Sequence, residues 1–375
     1  MFERMDSLED GYRNTTKRNT MKRILRTFLV GSICVTSILC ILQFWWINHV
    51  VSTTSRNTED NFIFSLSTWT NIHWSSPEIW DPVRQEEIRQ VMPVAVHSHN
   101  DYTRRIPLWE AIGSGCVSVE ADVHVDKSDL LVGHSARGLK REDSIKAMYL
   151  EPLERLIGSR NGDVAEGGWR GVFEKVPTQT LVLLVDLKTE SRQTLQELSR
   201  QLQPLRELDY LTYWNGTSRI MRPLTVVASG KVAFEDILAL DPTHRDIFFD
   251  APLASLHTPK DDWTTSPPTH AYNISNSYYA SSELKDGIIS LASDGDKTSS
   301  PEEQDGSSSQ PEQAKSRGLV SRYWGSAGPR YQTSEQVMWR YFTEVIGIGI
   351  INMDDMAAVR DRSRGMGKMA IQEKN

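Results

Sequence analysis

The chain has 375 residues, 24% of them charged and 39% hydrophobic, with a formal net charge of −7. That length accommodates one large catalytic domain, such as an α/β barrel of roughly 250 residues, together with additional segments. The acidic balance speaks against a nucleic-acid surface, and three cysteines, Cys34, Cys40 and Cys116, provide neither a disulfide framework nor a thiolate zinc site.

Residues 1–27 form a basic tail carrying Arg13, Lys17, Arg18, Lys22, Arg23 and Arg26. Residues 28–47, FLVGSICVTSILCILQFWWI, contain no charge. As a helix this stretch spans about 30 Å, one bilayer core. Trp45 and Trp46 at its far end suit an aromatic belt, and the preceding basic residues place the N-terminus in the cytosol. The expectation is a single-pass type II membrane protein whose remaining residues are lumenal or extracellular. A cleaved signal peptide fits less well, because the run exceeds the roughly 7–15 residues of an h-region. The sequons Asn215-Gly-Thr217 and Asn273-Ile-Ser275 would then face a glycosylating compartment. Residues 48–90, rich in Ser, Thr, Asn and Pro, read as a stalk.

The folded domain is expected over 91–360, with a C-terminal tail at 361–375. Strands are predicted at 91–97, 117–125, 130–134, 181–188, 223–229, 246–252 and 346–354. Helices are predicted around 108–114, 144–158, 192–208 and 334–346. Strands alternating with helices imply a parallel α/β sheet, and apolar strands imply cover on both faces. Charged groups at strand C-termini favour a TIM-type (β/α)8 barrel with its site on that rim. Residues 292–317 are rich in Ser, Asp, Glu, Gln, Pro and Gly and read as a disordered insertion.

Four strand segments concentrate the chemistry: VAVHSHNDY, VSVEADV, LLVGHS and LVLLVDLK. Glu120 and Asp122 lie two apart on one strand and so share a face. Two carboxylates on one face repel unless a cation lies between them, and hard oxygen ligands suit Mg²⁺ or Ca²⁺. Asp186, with Lys188 again on its face, could complete such a cage and add a cation for a phosphate. His97 and His134, at strand ends, offer a general base and a general acid on either side of a metal-bound phosphate.

The order His97-x-x-Asn100, Glu120-x-Asp122, His134, Asp186-x-Lys188 resembles the phospholipase C-like phosphodiesterase superfamily, which includes glycerophosphodiester phosphodiesterases and the sphingomyelinase D group. The segment HSHNDY resembles most the fungal altered inheritance of mitochondria protein 6 family. The resemblance covers about residues 91–355 and implies a TIM-type barrel, a metal at Glu120, Asp122 and Asp186, and an acid/base pair at His97 and His134. It implies a phosphodiester substrate, a lipid or its head group among the candidates. The HRG motif of glycerophosphodiester enzymes is missing, and His99 is a second histidine that could take the catalytic place of His97. Two other readings stay open. One is a membrane-anchored, non-catalytic binding protein on a degenerate barrel, and the other an amidohydrolase-like enzyme using His97 and His99 as an HxH metal motif.

Overall fold

The computed structural model describes Trp69 and residues 72–165, 167–257, 272–283, 310–325, 342–343 and 347–363. The strands are β1 (Val94–Ser98), β2 (Cys116–Asp126), β3 (Asp129–Val132), β4 (Leu181–Leu187), β5 (Tyr213–Trp214), β6 (Arg219–Ile220), β7 (Leu224–Gly230), β8 (Ile247–Pro252), β9 (Ser277–Glu283), β10 (Val320–Trp324) and β11 (Ile350–Met353). Eight of them pair in parallel around a closed ring in the order β1-β2-β4-β7-β8-β9-β10-β11, and β11 returns to β1. This is the expected TIM-type barrel. β3 is an addition, an antiparallel return along the outer end of β2.

Strands β4 and β7 are buried almost throughout, as strands covered on both faces must be. Helix α1 (Pro82–Arg89) starts with proline and is capped by Asp81, whose side chain accepts from the Val83 amide. Helix α2 (Trp109–Ser114) ends at Gly115, where a φ of 96° continues the chain into β2. A Cβ at Gly115 would stand 2.7 Å from the Met92 carbonyl oxygen, so the turn requires glycine. Helix α3 (Glu151–Asn161) buries Leu153, Leu156 and Ile157. The single helix expected over 192–208 is two, α4 (Ser191–Gln201) and α5 (Gln203–Glu207). Pro204 has no amide hydrogen to continue the first ladder and instead opens the second.

Two further expectations are corrected. Residues from Trp69 belong to the folded unit rather than to a stalk ending at 90. Trp69, Ile79 and Ile88 are buried, and the Trp69 and Trp80 rings lie 6.1 and 5.1 Å from that of Trp109. Residues 310–316, inside the stretch expected to be disordered, form a helix. Its Ala314 is fully buried in a cluster with Leu253, Leu319, Tyr323 and Ile351. Composition misled there because two buried residues, Pro311 and Ala314, with a hydrogen bond from Tyr323 to Gln310, dock a short helix within an otherwise polar stretch. Strands β9 and β10 were not foreseen, because Ser281, Ser282, Ser321 and Arg322 break up their apolar pattern.

The predicted transmembrane segment 28–47, its basic tail 1–27, residues 292–309 and most of the predicted helix 334–346 lie outside the described residues. Among the described residues, no helix is long and apolar enough to cross a membrane.

Candidate active site

His97 on β1 and Tyr279 on β9 meet edge to face, with ring centroids 6.5 Å apart. Their strands are separated by two others on the ring, so the contact crosses the barrel and fixes which face points inward. On β2 the inward residues are Ser118, Glu120 and Asp122, by strand alternation. Asp122 stands directly beside Asp186 of β4 in the parallel register, and Asp186 beside Ser229 of β7.

One ligand oxygen from each of Glu120, Asp122 and Asp186 lies within 4.8 Å of the others. The expected carboxylate set is therefore brought together. Lys188 joins it, with Nζ 3.0 Å from Asp122 Oδ2 and 2.9 Å from Asp186 Oδ2. One ammonium faces three carboxylates, and Oδ1 of both aspartates is buried with no hydrogen-bond partner. Buried acceptors without donors are costly. A small hard cation supplies what they lack, so the donor set fits a divalent metal. Burial raises the Asp186 pKa, against the pull of Lys188, and the charges of Asp122 and Glu120 add to the rise. Burial disfavours the Lys188 charge, but its hydrogen bonds to Asp186 and Asp122 outweigh that and raise its pKa.

Backbone geometry makes room for Asp186. Gly230, at the end of β7, has a φ of 72°, and a Cβ there would lie 1.8 Å from Asp186 Oδ1. No other residue type fits beside that carboxylate without displacing it.

His97 is fully buried. Its Nδ1 lies 2.7 Å from Ser118 Oγ and its Nε2 3.2 Å from Glu120 Oε2. Burial, with the positive charge of Arg322 behind it, pushes the imidazole down to about 4, so the ring is neutral at ordinary pH. Burial works against the Glu120 charge, but the hydrogen bond from His97 prevails and holds the carboxyl down at about 2. His99, one residue past β1, turns instead to Asp354 beyond β11, 3.0 Å away, and that hydrogen bond raises its pKa. The HxH pair therefore splits between the barrel interior and its rim. Among the described residues, no histidine joins the metal-compatible group.

His134 reaches the site through the β2–β3 hairpin. β2 runs past Asp122, turns at Lys127 and returns, so that the Gly133 amide donates to the Asp122 carbonyl at 3.0 Å. His134 thus stands over Asp122, with Nδ1 3.1 Å from Asp122 Oδ2 and a side chain 75% exposed.

Several residues of the site go beyond the expected set. Asp101 and Tyr102 follow the motif residue Asn100 in the turn after β1, and Tyr102 donates to Asp122 Oδ2 at 2.7 Å. Across the barrel, Arg322 of β10 is buried and bonds Ser281 Oγ, Asn352 Oδ1 and Asp250 Oδ2 at 3.0, 3.0 and 3.3 Å. Asp250 and Asn352 are each a lone polar residue within an otherwise apolar or aromatic strand, and that interruption was the available signal; Arg322 follows Ser321 in β10 and carries no such signal.

A family model described as "AIM6-like phosphodiesterase domain" matches residues 85–250. The altered inheritance of mitochondria protein 6 homolog of Arthroderma benhamiae is 30% identical over 282 residues, 72% of this chain and 84% of that one. The altered inheritance of mitochondria protein 6 of Eremothecium gossypii is 32% identical over 278 residues, 70% of this chain and 68% of that one. Among solved structures, a phosphatidylinositol-specific phospholipase C from Listeria monocytogenes aligns with a TM-score of 0.39 at 10% identity, covering 78% of this chain and 98% of that one. The two fungal relatives match at this identity over about two thirds or more of both chains, and the chain belongs to the altered inheritance of mitochondria protein 6 family.

Proposed function

We propose that the protein is a metal-dependent phosphoric diester hydrolase that works by histidine acid/base catalysis. The carrying observation is the carboxylate cluster of Glu120, Asp122 and Asp186, with its two partnerless buried oxygens and a histidine against each end. These three residues would hold one divalent ion, Mg²⁺ or Ca²⁺. A bound ion of that kind polarises a phosphoryl oxygen and offsets the charge that grows on it.

The protein's own groups supply the rest. His97, kept neutral by burial, would accept a proton from the attacking hydroxyl on Nε2 in the tautomer that donates from Nδ1 to Ser118 Oγ, in place of the one that donates to Glu120. His134, against Asp122 and open to solvent, protonates the departing oxygen. Lys188 steadies the two aspartates and presents its ammonium to the phosphoryl group. In a substrate that carries a hydroxyl next to the phosphorus, that oxygen forms the new P–O bond as the old one breaks, and a cyclic phosphate leaves first. The substrate is a phosphodiester, with a lipid or its head group as the leading class. Residues 28–47 would hold the barrel beside such a substrate as a type II anchor, with the catalytic domain lumenal or extracellular. Cleavage of the barrel by protease added to sealed, cytosol-side-out vesicles would overturn that orientation.

A second reading gives the base role to His99. It is favoured by the His99–Asp354 pair, which is partly open at the rim while His97 is wholly buried.

The test is turnover of a panel of phosphodiesters by the purified chain, with and without chelator. Hydrolysis that chelation abolishes and Mg²⁺ or Ca²⁺ restores is expected. No turnover of any member with either metal would favour a non-catalytic barrel, and turnover indifferent to chelator would remove the metal.

A further inference from the structure

The turn after β1 is held unusually firmly. Asp101, fully buried, accepts from the Leu108 amide at 2.6 Å, from Ser98 Oγ at 2.8 Å and from the Tyr149 hydroxyl at 3.0 Å. Arg104 donates to the carbonyls of Asp354 and His99 at 2.6 and 3.2 Å. Asn100 sits at a φ of 47°, and its amide donates to Glu120 Oε2 at 3.3 Å. The next side chain but one on this turn is Tyr102. Its hydroxyl lies 2.7 Å from Asp122 Oδ2, 2.8 Å from Asn100 Oδ1 and 3.4 Å from His134 Nδ1.

The His134 ring needs such a neighbour. It is mostly exposed, and its ring contacts run to Asp122 Oδ2 and the Tyr102 hydroxyl. An exposed imidazole on a single hydrogen bond samples several rotamers, and only some aim its far nitrogen at a substrate. A second contact from a side chain on a rigid turn narrows that choice. The same hydroxyl engages the Asp122 oxygen that Lys188 also touches, and leaves Asp122 Oδ1 uncommitted. We propose that Tyr102 is a positioning residue, whose phenol fixes the His134 ring against Asp122 so that His134 can transfer a proton to the phosphodiester. This rests on the phosphodiesterase reading above.

The experiment compares the full chain with Tyr102→Phe, His134→Ala and the double variant. Tyr102→Phe keeps the ring and removes one hydroxyl. It is expected to lower kcat about tenfold, the worth of one hydrogen bond, with KM little changed. In the His134→Ala background the same change should cost nothing further, because a residue acting through His134 has nothing left to position. Equal losses in both backgrounds, or an unchanged kcat in the single variant, would overturn the proposal. If the wild-type chain turns over no phosphodiester, the functional reading fails, and Tyr102 is judged on the ring ¹⁵N resonances of labelled histidine. Tyr102→Phe should then move the His134 resonances and leave those of His97 in place. Unmoved His134 resonances would reject the positioning role even in an inactive barrel.

Discussion

Between β1 and β4 the barrel interior collects three carboxylates around one ammonium, whereas between β8 and β11 it sets one guanidinium against one carboxylate. The second arrangement is balanced. Arg322 also finds neutral partners in Ser281 and Asn352, and both members of its ion pair are at most 5% exposed. The first carries surplus negative charge that folding alone does not reward, since like charges in a closed space raise one another's pKa. Charge in balance holds two strands together, whereas charge in surplus is what the proposed cation would offset. The two halves also touch. Arg322 lies close enough to His97 to help hold that imidazole neutral, so the balanced wall tunes a member of the unbalanced one.

The largest expected effect belongs to the half with surplus charge. His134→Ala should lower turnover by about 10²–10⁴-fold, the usual worth of general acid/base help, while metal affinity measured by calorimetry stays nearly intact. His97→Ala should behave alike, with His99→Ala milder. The reverse ranking of these two would keep the enzyme class and move the base to the rim.

Arg322→Met tests the balanced half. It strands Asp250 as a buried charge and should cost about 3–5 kcal/mol in urea unfolding. Adding Asp250→Leu should recover much of the loss, because a balanced pair can be replaced by apolar packing. A loss that the second change does not recover would mean that Asp250 serves more than its ion pair. Acid pH probes the link between the halves. The native His97 titrates at about 4, and an unfolded histidine at about 6.5. Between those values the unfolded chain binds more protons, so stability should fall as pH drops through that window. In proton NMR of the metal-free chain, Arg322→Met should move the His97 midpoint upward.

Metal binding comes next in size. At about 100 times its dissociation constant, Mg²⁺ or Ca²⁺ should stabilise the chain by about 2.7 kcal/mol, seen as a higher melting temperature. Glu120→Gln should remove most of that gain, and so should Gly230→Ala, whose Cβ displaces the Asp186 carboxylate without changing the number of charges. A gain that survives both changes would place the ion elsewhere. The smallest effect is expected from deleting 292–309, which should shift stability by less than about 1 kcal/mol. Extending the deletion through 316 should cost more, because it removes Ala314 from its buried cluster.

The two halves are unequally legible in the sequence for the same reason. β4 is legible because its polar residues end a long apolar run, LVLLVDLK, and β2 because polar and apolar residues alternate strictly in VSVEADV. The closing strand around IGIGIINMD was visible as well, although Asn352 within it drew no notice. β9 and β10 were missed because serines and Arg322 interrupt short strands, and an interrupted run of five to seven residues looks like a loop. Tyr102 escaped for a different reason. Its partners Asp122 and His134 lie 20 and 32 residues away in sequence, and no local periodicity encodes a contact at that range.

The sequence by itself determined the class of the fold, the carboxylate triad, the lysine beside it and the two histidines. Strand alternation and apolar runs are local properties, and motif order is written along the chain. Only the tertiary structure decided that the ring closes through β9 and β10, that His97 faces inward while His99 turns to Asp354, that the segment from Trp69 packs on the domain, and that Arg322 reaches across to tune His97. Each of these depends on which strands become neighbours and how deeply a group is buried. Those follow from closing the barrel as a whole and are carried by no single segment of the chain.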